Sequence, residues 1–150
     1  KILEEVNEKK KPILGICLGM QLLASYGSEG SSKKGGKASK GLGLIPGSVI
    51  SLEELGCTLN IPHVGWNEIK FENSFEVMFN GINESTDFYF VHSYVFIPEN
   101  SLHKVASVNY GVSLVAAVRN QHIWGTQFHP EKSSRAGQKL LENFIINSKC

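Results

Sequence analysis

The sequence predicts an α/β protein with an open, mostly parallel sheet flanked by helices. A short apolar run at 13–16 follows Pro12 and leads into leucines at helical spacing, which is the pattern of a buried strand followed by a helix. A second apolar run, at 123–128, ends at a histidine and a proline. An apolar stripe over 140–145 follows two serines that can cap a helix, which predicts a last helix packed on the sheet.

Cys17 lies at the joint between the first strand and its helix, with Gly15 and Gly19 on either side. This spacing is typical of a nucleophile elbow with a thiol as the nucleophile. We expect both glycines to permit close backbone approach, and the N-terminus of the helix to favour the thiolate. The N–H of Leu18 is expected to donate to an oxyanion formed beside the sulfur. The alternative is a buried cysteine that packs as a small hydrophobic residue, but the flanking glycines favour a nucleophile.

His129 ends the second apolar run and is the candidate proton-transfer group. Active sites of open α/β sheets collect at the carboxyl ends of strands, and this histidine falls at such an end. Glu131, two residues on, can accept the other ring N–H and fix the tautomer. A histidine in this position is often structural, but with Cys17 it completes a nucleophile, base and orienting group.

Two segments around these residues resemble the catalytic motifs of class I (triad) glutamine amidotransferases: GICLGMQ at 15–21 and QFHPE at 127–131. Three more resemble the glutaminase subunits of imidazole glycerol phosphate synthase: GLGLIPG at 41–47, PHVGWN at 62–67 and YFVHSY at 89–94. The likeness extends from residue 12 to about residue 146.

The resemblance implies a glutamine amidohydrolase of histidine biosynthesis. Such an enzyme releases ammonia through a cysteine thioester and delivers it to a cyclase subunit, a β/α barrel that makes imidazole glycerol phosphate and AICAR. Cys17, His129 and Glu131 would be the catalytic residues, and Leu18 would contribute to the oxyanion hole. The other implied site residues are Gln21, His92, Ser93 and Tyr94 for glutamine binding, and Trp66 and Asn67 at the partner interface.

Length and composition argue against several classes of protein. The 150 residues, 41% of them hydrophobic, suit one domain over 1–150, and a net charge of +1 argues against a nucleic-acid partner. No apolar run reaches membrane length, so no membrane association is expected. Three irregularly spaced cysteines indicate neither a disulfide framework nor a zinc site. We therefore expect a cytoplasmic protein without a metal or an organic cofactor.

Two segments depart from the family pattern. Residues 28–40 are rich in glycine, serine and lysine, which predicts a flexible loop. Phosphate or nucleic-acid binding is the alternative, but the segment has neither a Walker spacing nor interleaved aromatic residues. Before Pro12, nothing resembles the glycine-rich loop that supplies the family's second oxyanion donor. We expect the N-terminal strands and helix of the fold to be missing, and such a fragment to be weakly active or inactive.

Three other functions stay open at this stage. A paralogous glutaminase could feed a different synthase, for example one that amidates a surface sugar. A cysteine peptidase would use the same pair of residues, although it would lack Gln21 and the 92–94 segment. A non-catalytic binding module would retain the fold without turnover.

Overall fold

The computed structural model describes residues 1–29 and 38–148. In these ranges the strands are β1 (Ile13–Ile16), β2 (Tyr26–Gly27), β3 (Ser39–Lys40), β4 (Gly47–Ser51), β5 (His63–Phe71), β6 (Asp87–His92), β7 (Tyr94–Pro98), β8 (Lys104–Tyr110), β9 (Val112–Asn120) and β10 (Ile123–Thr126). The α-helices are α1 (Leu18–Leu22) and α2 (Ser134–Asn147). Short 3₁₀ turns cover Val77–Phe79, Ser101–His103 and Pro130–Lys132, and a π turn covers Glu4–Glu8.

The larger sheet has the strand order β1-β10-β9-β8-β5-β6. Its centre is apolar on both faces: all four residues of β10 and five consecutive residues of β9 are buried. Strands that are covered on both faces need such near-continuous apolar runs, which is why residues 114–118 and 123–125 carry no polar side chain. The smaller sheet, β3-β2-β4-β7, adjoins the larger one where the chain passes from β6 to β7 through Ser93.

Strand direction is where the predicted sheet is wrong. In the larger sheet only β1 and β10 pair in parallel, and the other neighbours are antiparallel. For two of these four antiparallel pairs the reason is the length of the connections: Gly111 alone joins β8 to β9, and two residues join β9 to β10. Connections this short can only form hairpins, because a parallel crossover needs a dozen or more residues. The sheet is therefore mixed, with the parallel pair at the end that carries Cys17.

Several segments between the predicted strands and helices have structure of their own. The first helix ends at Leu22, and residues Tyr26–Gly27 form β2. Residues 63–71 form one continuous strand. The predicted flexible loop, 28–40, includes β3 at its end; its residues 30–37 lie outside the described part of the chain.

The predicted C-terminal helix is confirmed as α2, with Ser133 at its N-cap and Leu140 fully buried. Ile145, expected on the buried face, is mostly exposed. The Ser133 hydroxyl does not cap the helix; it donates to the carbonyl of His129 and accepts from the N–H of Tyr89. The helix start is thereby attached to the segment that carries the candidate base. Neither helix in residues 1–29 and 38–148 has the length and apolar content needed to cross a membrane.

Candidate functional site

The turn between β1 and α1 holds Cys17 in an unusual conformation. Its φ of 52° and ψ of −107° lie outside the regions that non-glycine residues favour. The Cys17 N–H donates to the carbonyl of Thr126, at the end of β10, over 2.8 Å. A Cβ added to Gly15 would lie 2.5 Å from the carbonyl oxygen of Gly19, so strand and helix meet backbone to backbone there. This close approach raises the sulfur above the carboxyl end of the sheet, as the elbow motif predicts.

Gly19 has a different environment from the one we expected. A Cβ built on it has no heavy atom within 4 Å, so packing does not require glycine at this position. Glycine is required sterically at Gly15, because this residue faces the backbone carbonyl of Gly19.

The thiol of Cys17 is partly buried. It lies 3.7 Å from the carbonyl oxygen of Val91, to which it donates, and 3.7 Å from Nε2 of Gln127. Burial raises the pKa of this thiol above its ordinary value of 9.0, and the carboxylates of Glu131 and Glu29 raise it further. The N–H of Leu18 and the Gln127 amide act in the opposite direction but are outweighed. The predicted resting thiolate is therefore wrong: desolvation outweighs a helix of only five residues.

His129 and Glu131 lie on the segment that follows β10. Nδ1 of His129 is 2.6 Å from Oε1 of Glu131, and the backbone N–H of His129 donates to the carbonyl of Tyr89 over 2.9 Å. The other ring nitrogen, Nε2, is enclosed and has no hydrogen-bond partner among the described residues. A buried polar atom without a partner carries a free-energy cost, which a reacting group that bonds to it would relieve.

Cys17 and His129 follow the carboxyl ends of neighbouring strands. β1 and β10 pair in parallel, and the pairing ends at Ile16 and Thr126. Cys17 is the first residue after β1 and His129 the third after β10, so both lie at the same edge of the sheet. Within the described residues, no hydrogen bond joins the sulfur to the imidazole, because the thiol faces Val91. Such pairs often tighten only when substrate binds.

A cavity of about 340 Å³ opens beside the sulfur. Its lining includes the four residues expected to bind glutamine, which are Gln21, His92, Ser93 and Tyr94. The imidazole of His92 is 5% exposed and turned away from solvent, with Nδ1 2.8 Å from the carbonyl oxygen of Tyr94. Its ring therefore lies behind the cavity wall that residues 92–94 form.

Sequence reasoning missed two residues of this site. Glu29 lines the cavity, and its carboxylate raises the pKa of the Cys17 thiol through charge repulsion with the thiolate. Gln127 contacts the sulfur and accepts from Nε2 of Gln21 over 3.2 Å. Gln127 belongs to the QFHPE motif that contains His129, and its place in that motif could have indicated a role in the site. Glu29 lies in a polar stretch without a motif, so the sequence gave no indication of its role.

The two residues expected at a partner interface face opposite sides of β5. Trp66 is 50% exposed and contacts the ring of Tyr89 edge-on, with ring centroids 5.8 Å apart. Asn67 lies on the other face, where its Oδ1 is 2.8 Å from Nε2 of the buried His63. Trp66 is thus open to a partner, and Asn67 is tied to the interior.

Comparison with known proteins identifies the family that these features belong to. The family model described as glutamine amidotransferase class-I matches residues 1–148. The imidazole glycerol phosphate synthase subunit HisH 1 of Prochlorococcus marinus is 45% identical over 142 residues, which are 93% of this chain and 64% of that protein. The subunit HisH of Pelagibacter ubique is 40% identical over 148 residues, with coverage of 96% and 68%. The chain thus spans about two thirds of the length of these relatives.

The architecture has a counterpart among solved structures. PurLQS from Thermotoga maritima matches with a TM-score of 0.68 over 98% of this chain and 66% of that chain. At 19% sequence identity, this likeness concerns the fold alone. It confirms the predicted fold family, with the correction that the sheet is mixed.

Proposed function

The chain belongs to the class-I glutamine amidotransferase family, and from this premise we propose that it hydrolyses the side-chain amide of glutamine. The observation that carries the proposal is the placement of Cys17 and His129 just after the carboxyl ends of two adjacent parallel strands, with a cavity beside the sulfur. A nucleophile and a base at one sheet edge form the arrangement required for acyl transfer through a covalent intermediate.

The reaction begins with a proton transfer from the Cys17 thiol to Nε2 of His129. The sulfur attacks the amide carbon of glutamine, and the N–H of Leu18, which faces the sulfur, donates to the oxyanion. His129 returns the proton to the departing nitrogen, so ammonia leaves and a thioester remains. The same imidazole then takes a proton from water; the resulting hydroxide breaks the thioester, and glutamate is released as the thiol regains its proton.

Glu131 keeps this imidazole in the required tautomer. Its carboxylate accepts from Nδ1–H at 2.6 Å, so the lone pair of the neutral ring lies on Nε2. The carboxylate also stabilises the imidazolium that forms after the first proton transfer.

The raised pKa of the Cys17 thiol favours a neutral thiol in the resting protein. Because the thiol donates to Val91, its side chain has to turn away from that carbonyl before it can pass its proton to His129. We infer that glutamine, on entering the cavity, displaces this contact and completes the pair.

The cavity supports binding of a free amino acid. Gln21, Ser93 and Tyr94 line the wall beside the sulfur, and Glu29 adds a carboxylate. A carboxylate here suits the α-ammonium group of glutamine, because opposite charges attract strongly in a partly desolvated site. Backbone N–H groups and the hydroxyl of the Ser93 segment suit its α-carboxylate.

We further propose that the ammonia is delivered to a cyclase subunit, as the resemblance to imidazole glycerol phosphate synthases implies. Two relatives carry the name of a subunit of that synthase. The half-exposed Trp66 supports a docking surface near the site, since its ring contacts Tyr89, whose carbonyl holds the backbone of His129. The partner would be the β/α barrel that makes imidazole glycerol phosphate and AICAR.

The test is the release of glutamate from glutamine by the protein together with its cyclase partner. We expect release that rises when the nucleotide substrate of the cyclase is added, and none with Cys17→Ala. Stimulation by a different synthase and its substrate would indicate a paralogous glutaminase. Equal glutamate release by the Cys17→Ala variant would contradict the proposal.

A further inference from the structure

A continuous series of hydrogen bonds leaves the Cys17 sulfur and runs into the protein interior. Nε2 of Gln127 contacts the sulfur at 3.7 Å, and Oε1 of the same side chain accepts from Nε2 of Gln21 at 3.2 Å. The Gln21 amide also donates to the carbonyl of Tyr94 at 3.3 Å. This carbonyl accepts a second bond, from Nδ1 of His92, at 2.8 Å. The Tyr94 carbonyl therefore joins the thiol side of the cavity to a buried histidine.

The series continues through a second histidine that no step of the mechanism uses. Nε2 of His92 is 3.0 Å from Nδ1 of His63, and Nε2 of His63 is 2.8 Å from Oδ1 of Asn67. His63 is fully buried. Two imidazoles in direct contact inside a protein are costly unless every ring nitrogen has a partner, and here each of the four nitrogens has one.

The direction of these bonds follows from the Tyr94 carbonyl, which can only accept. His92 must carry its proton on Nδ1, and burial, the first cause, lowers its pKa to about 4, so the ring is neutral near pH 7 and Nε2 accepts. His63 must then donate from Nδ1. Burial also lowers the pKa of His63, so its neutral ring accepts at Nε2. The Asn67 amide must therefore turn by 180° from the orientation that places Oδ1 beside this nitrogen, and donate from its NH₂ group instead.

The ring of His63 is held firmly in place. It stacks on Tyr110 with centroids 4.0 Å apart and on Phe90 with centroids 4.8 Å apart. Tyr110 is itself anchored by its hydroxyl, which donates to the carbonyl of Asn60 at 2.7 Å. The imidazole therefore has two separable properties: a flat surface that packs between aromatic rings, and an Nδ1 donor aimed at His92.

We propose that His63 is a positioning residue for glutamine binding, acting through His92 on the Tyr94 carbonyl and the cavity wall at 92–94. The inference rests on the proposed function and assigns a remote residue to the same site. Loss of the Nδ1 donor leaves the buried Nε2 of His92 without a partner, and the ring then has to turn or recruit water. Either change releases the Tyr94 carbonyl that orients Gln21 beside the sulfur.

Two substitutions separate the donor from the flat surface. His63→Phe keeps a ring between Tyr110 and Phe90 but removes both nitrogens. His63→Asn gives up the ring and retains a donor near the Nδ1 position. A positioning role predicts that Phe raises KM for glutamine about tenfold, with kcat within threefold, and that Asn restores KM to within threefold of the unmodified protein. A role in packing alone predicts the reverse order.

Tyr110→Phe is the matched control, because it keeps the aromatic ring that stacks on His63 and removes only a hydrogen bond outside the series. It should leave kcat and KM unchanged. All variants are assayed with saturating cyclase partner, and the alkylation rate of Cys17 by iodoacetamide, which does not need the glutamine-binding wall, should agree within twofold among them.

The inference is overturned if His63→Phe matches the active unmodified protein, or if His63→Asn has a higher KM than His63→Phe. Should His63→Phe fail to fold, Asn67→Leu breaks the same series one bond further out. It must then raise KM at least twofold, and an unchanged KM overturns the inference. Absence of glutamate release by the unmodified protein is a different result: it refutes the proposed function, and the positioning role falls with it.

Discussion

The two halves of the candidate site are built in different ways. Cys17 is fixed by the geometry of its turn, by the carbonyls of Thr126 and Val91, and by the Gln127 amide, with the sulfur at the start of a buried hydrogen-bond series. His129 lies on a short segment after β10. Among the described residues its ring makes one hydrogen bond, to a Glu131 side chain that is 45% exposed, and a looser contact with the ring of Tyr89, with centroids 6.5 Å apart. The nucleophile half thus depends on the fold, whereas the base half depends on a local pair.

Because the two halves are built differently, substitutions near Cys17 and substitutions near Glu131 should affect different properties of the protein. Changes around Cys17 should act on stability or substrate binding, because they disturb packed backbone or buried polar groups. Changes around Glu131 should act on turnover, because few contacts beyond the imidazole depend on that carboxylate.

The largest effect is expected at the elbow. Gly15→Ala places a Cβ 2.5 Å from the Gly19 carbonyl oxygen, and relief requires backbone movement. We expect the free energy of unfolding to fall by about 3 kcal/mol. Gly19→Ala, where a Cβ meets nothing within 4 Å, should be neutral or slightly stabilising. Denaturant unfolding of both variants measures the contrast, and equal losses would show that the close approach is not the constraint.

On the base side, Glu131→Gln should lower kcat on the order of 100-fold, about 2.7 kcal/mol in activation free energy. The amide can still accept from Nδ1–H but no longer stabilises the imidazolium by charge. Because the side chain is half exposed, the melting temperature should change little. Steady-state kinetics and thermal unfolding measured together test this. A large loss of stability with an unchanged kcat would show that Glu131 supports the fold and not turnover, which contradicts the account of the base half.

The buried histidines make stability depend on pH. Burial lowers the pKa of His92 from 6.5 to about 4, so between these values the unfolded chain binds more protons and stability falls as pH falls. From pH 7 to pH 5 we expect a loss of about 2 kcal/mol from this residue. His63 adds to the loss in the same direction. Urea unfolding at both pH values, compared with His92→Asn, should show a smaller pH dependence in the variant; an equal dependence in both proteins argues against a neutral buried His92.

The smallest effect concerns the thiol. Because burial and two carboxylates raise its pKa, alkylation of Cys17 by iodoacetamide should increase with a midpoint above pH 9.0. Glu29→Gln removes the weaker of these charges and should lower the midpoint, while Glu54→Gln, at a residue outside the cavity lining, should leave it unchanged. A midpoint well below pH 9.0 in the unmodified protein would restore the thiolate that the sequence suggested.

Much of the catalytic edge was predictable because its signals are local. The strand before Cys17, the apolar run before His129 and the helix after Ser133 each follow from residues that are adjacent in the chain, and all three are present. The contact between His129 and Glu131 also spans only two residues. Sequence patterns report local structure of this kind well.

The remainder depends on contacts between distant residues. The directions of β8, β9 and β10 follow from short hairpin connections, and the lengths of these connections are known only when the strand ends are known. The full length of β5 is set by its pairing with β6 and β8. The hydrogen bonds between His63 and His92 and between Gln127 and Cys17 join residues 29 and 110 positions apart. The thiol pKa was mispredicted for the same reason, since burial is a property of the whole fold.

The central claim is that Cys17 is a nucleophile in a site shaped for glutamine. A diazoketone analogue of glutamine tests it directly, because such a compound alkylates a thiol only after the amino-acid part has bound. Peptide mapping by mass spectrometry should find one adduct, on Cys17, that free glutamine suppresses, with the buried Cys57 unmodified. An adduct on Cys57 instead, or labelling of Cys17 that glutamine does not suppress, would contradict the account.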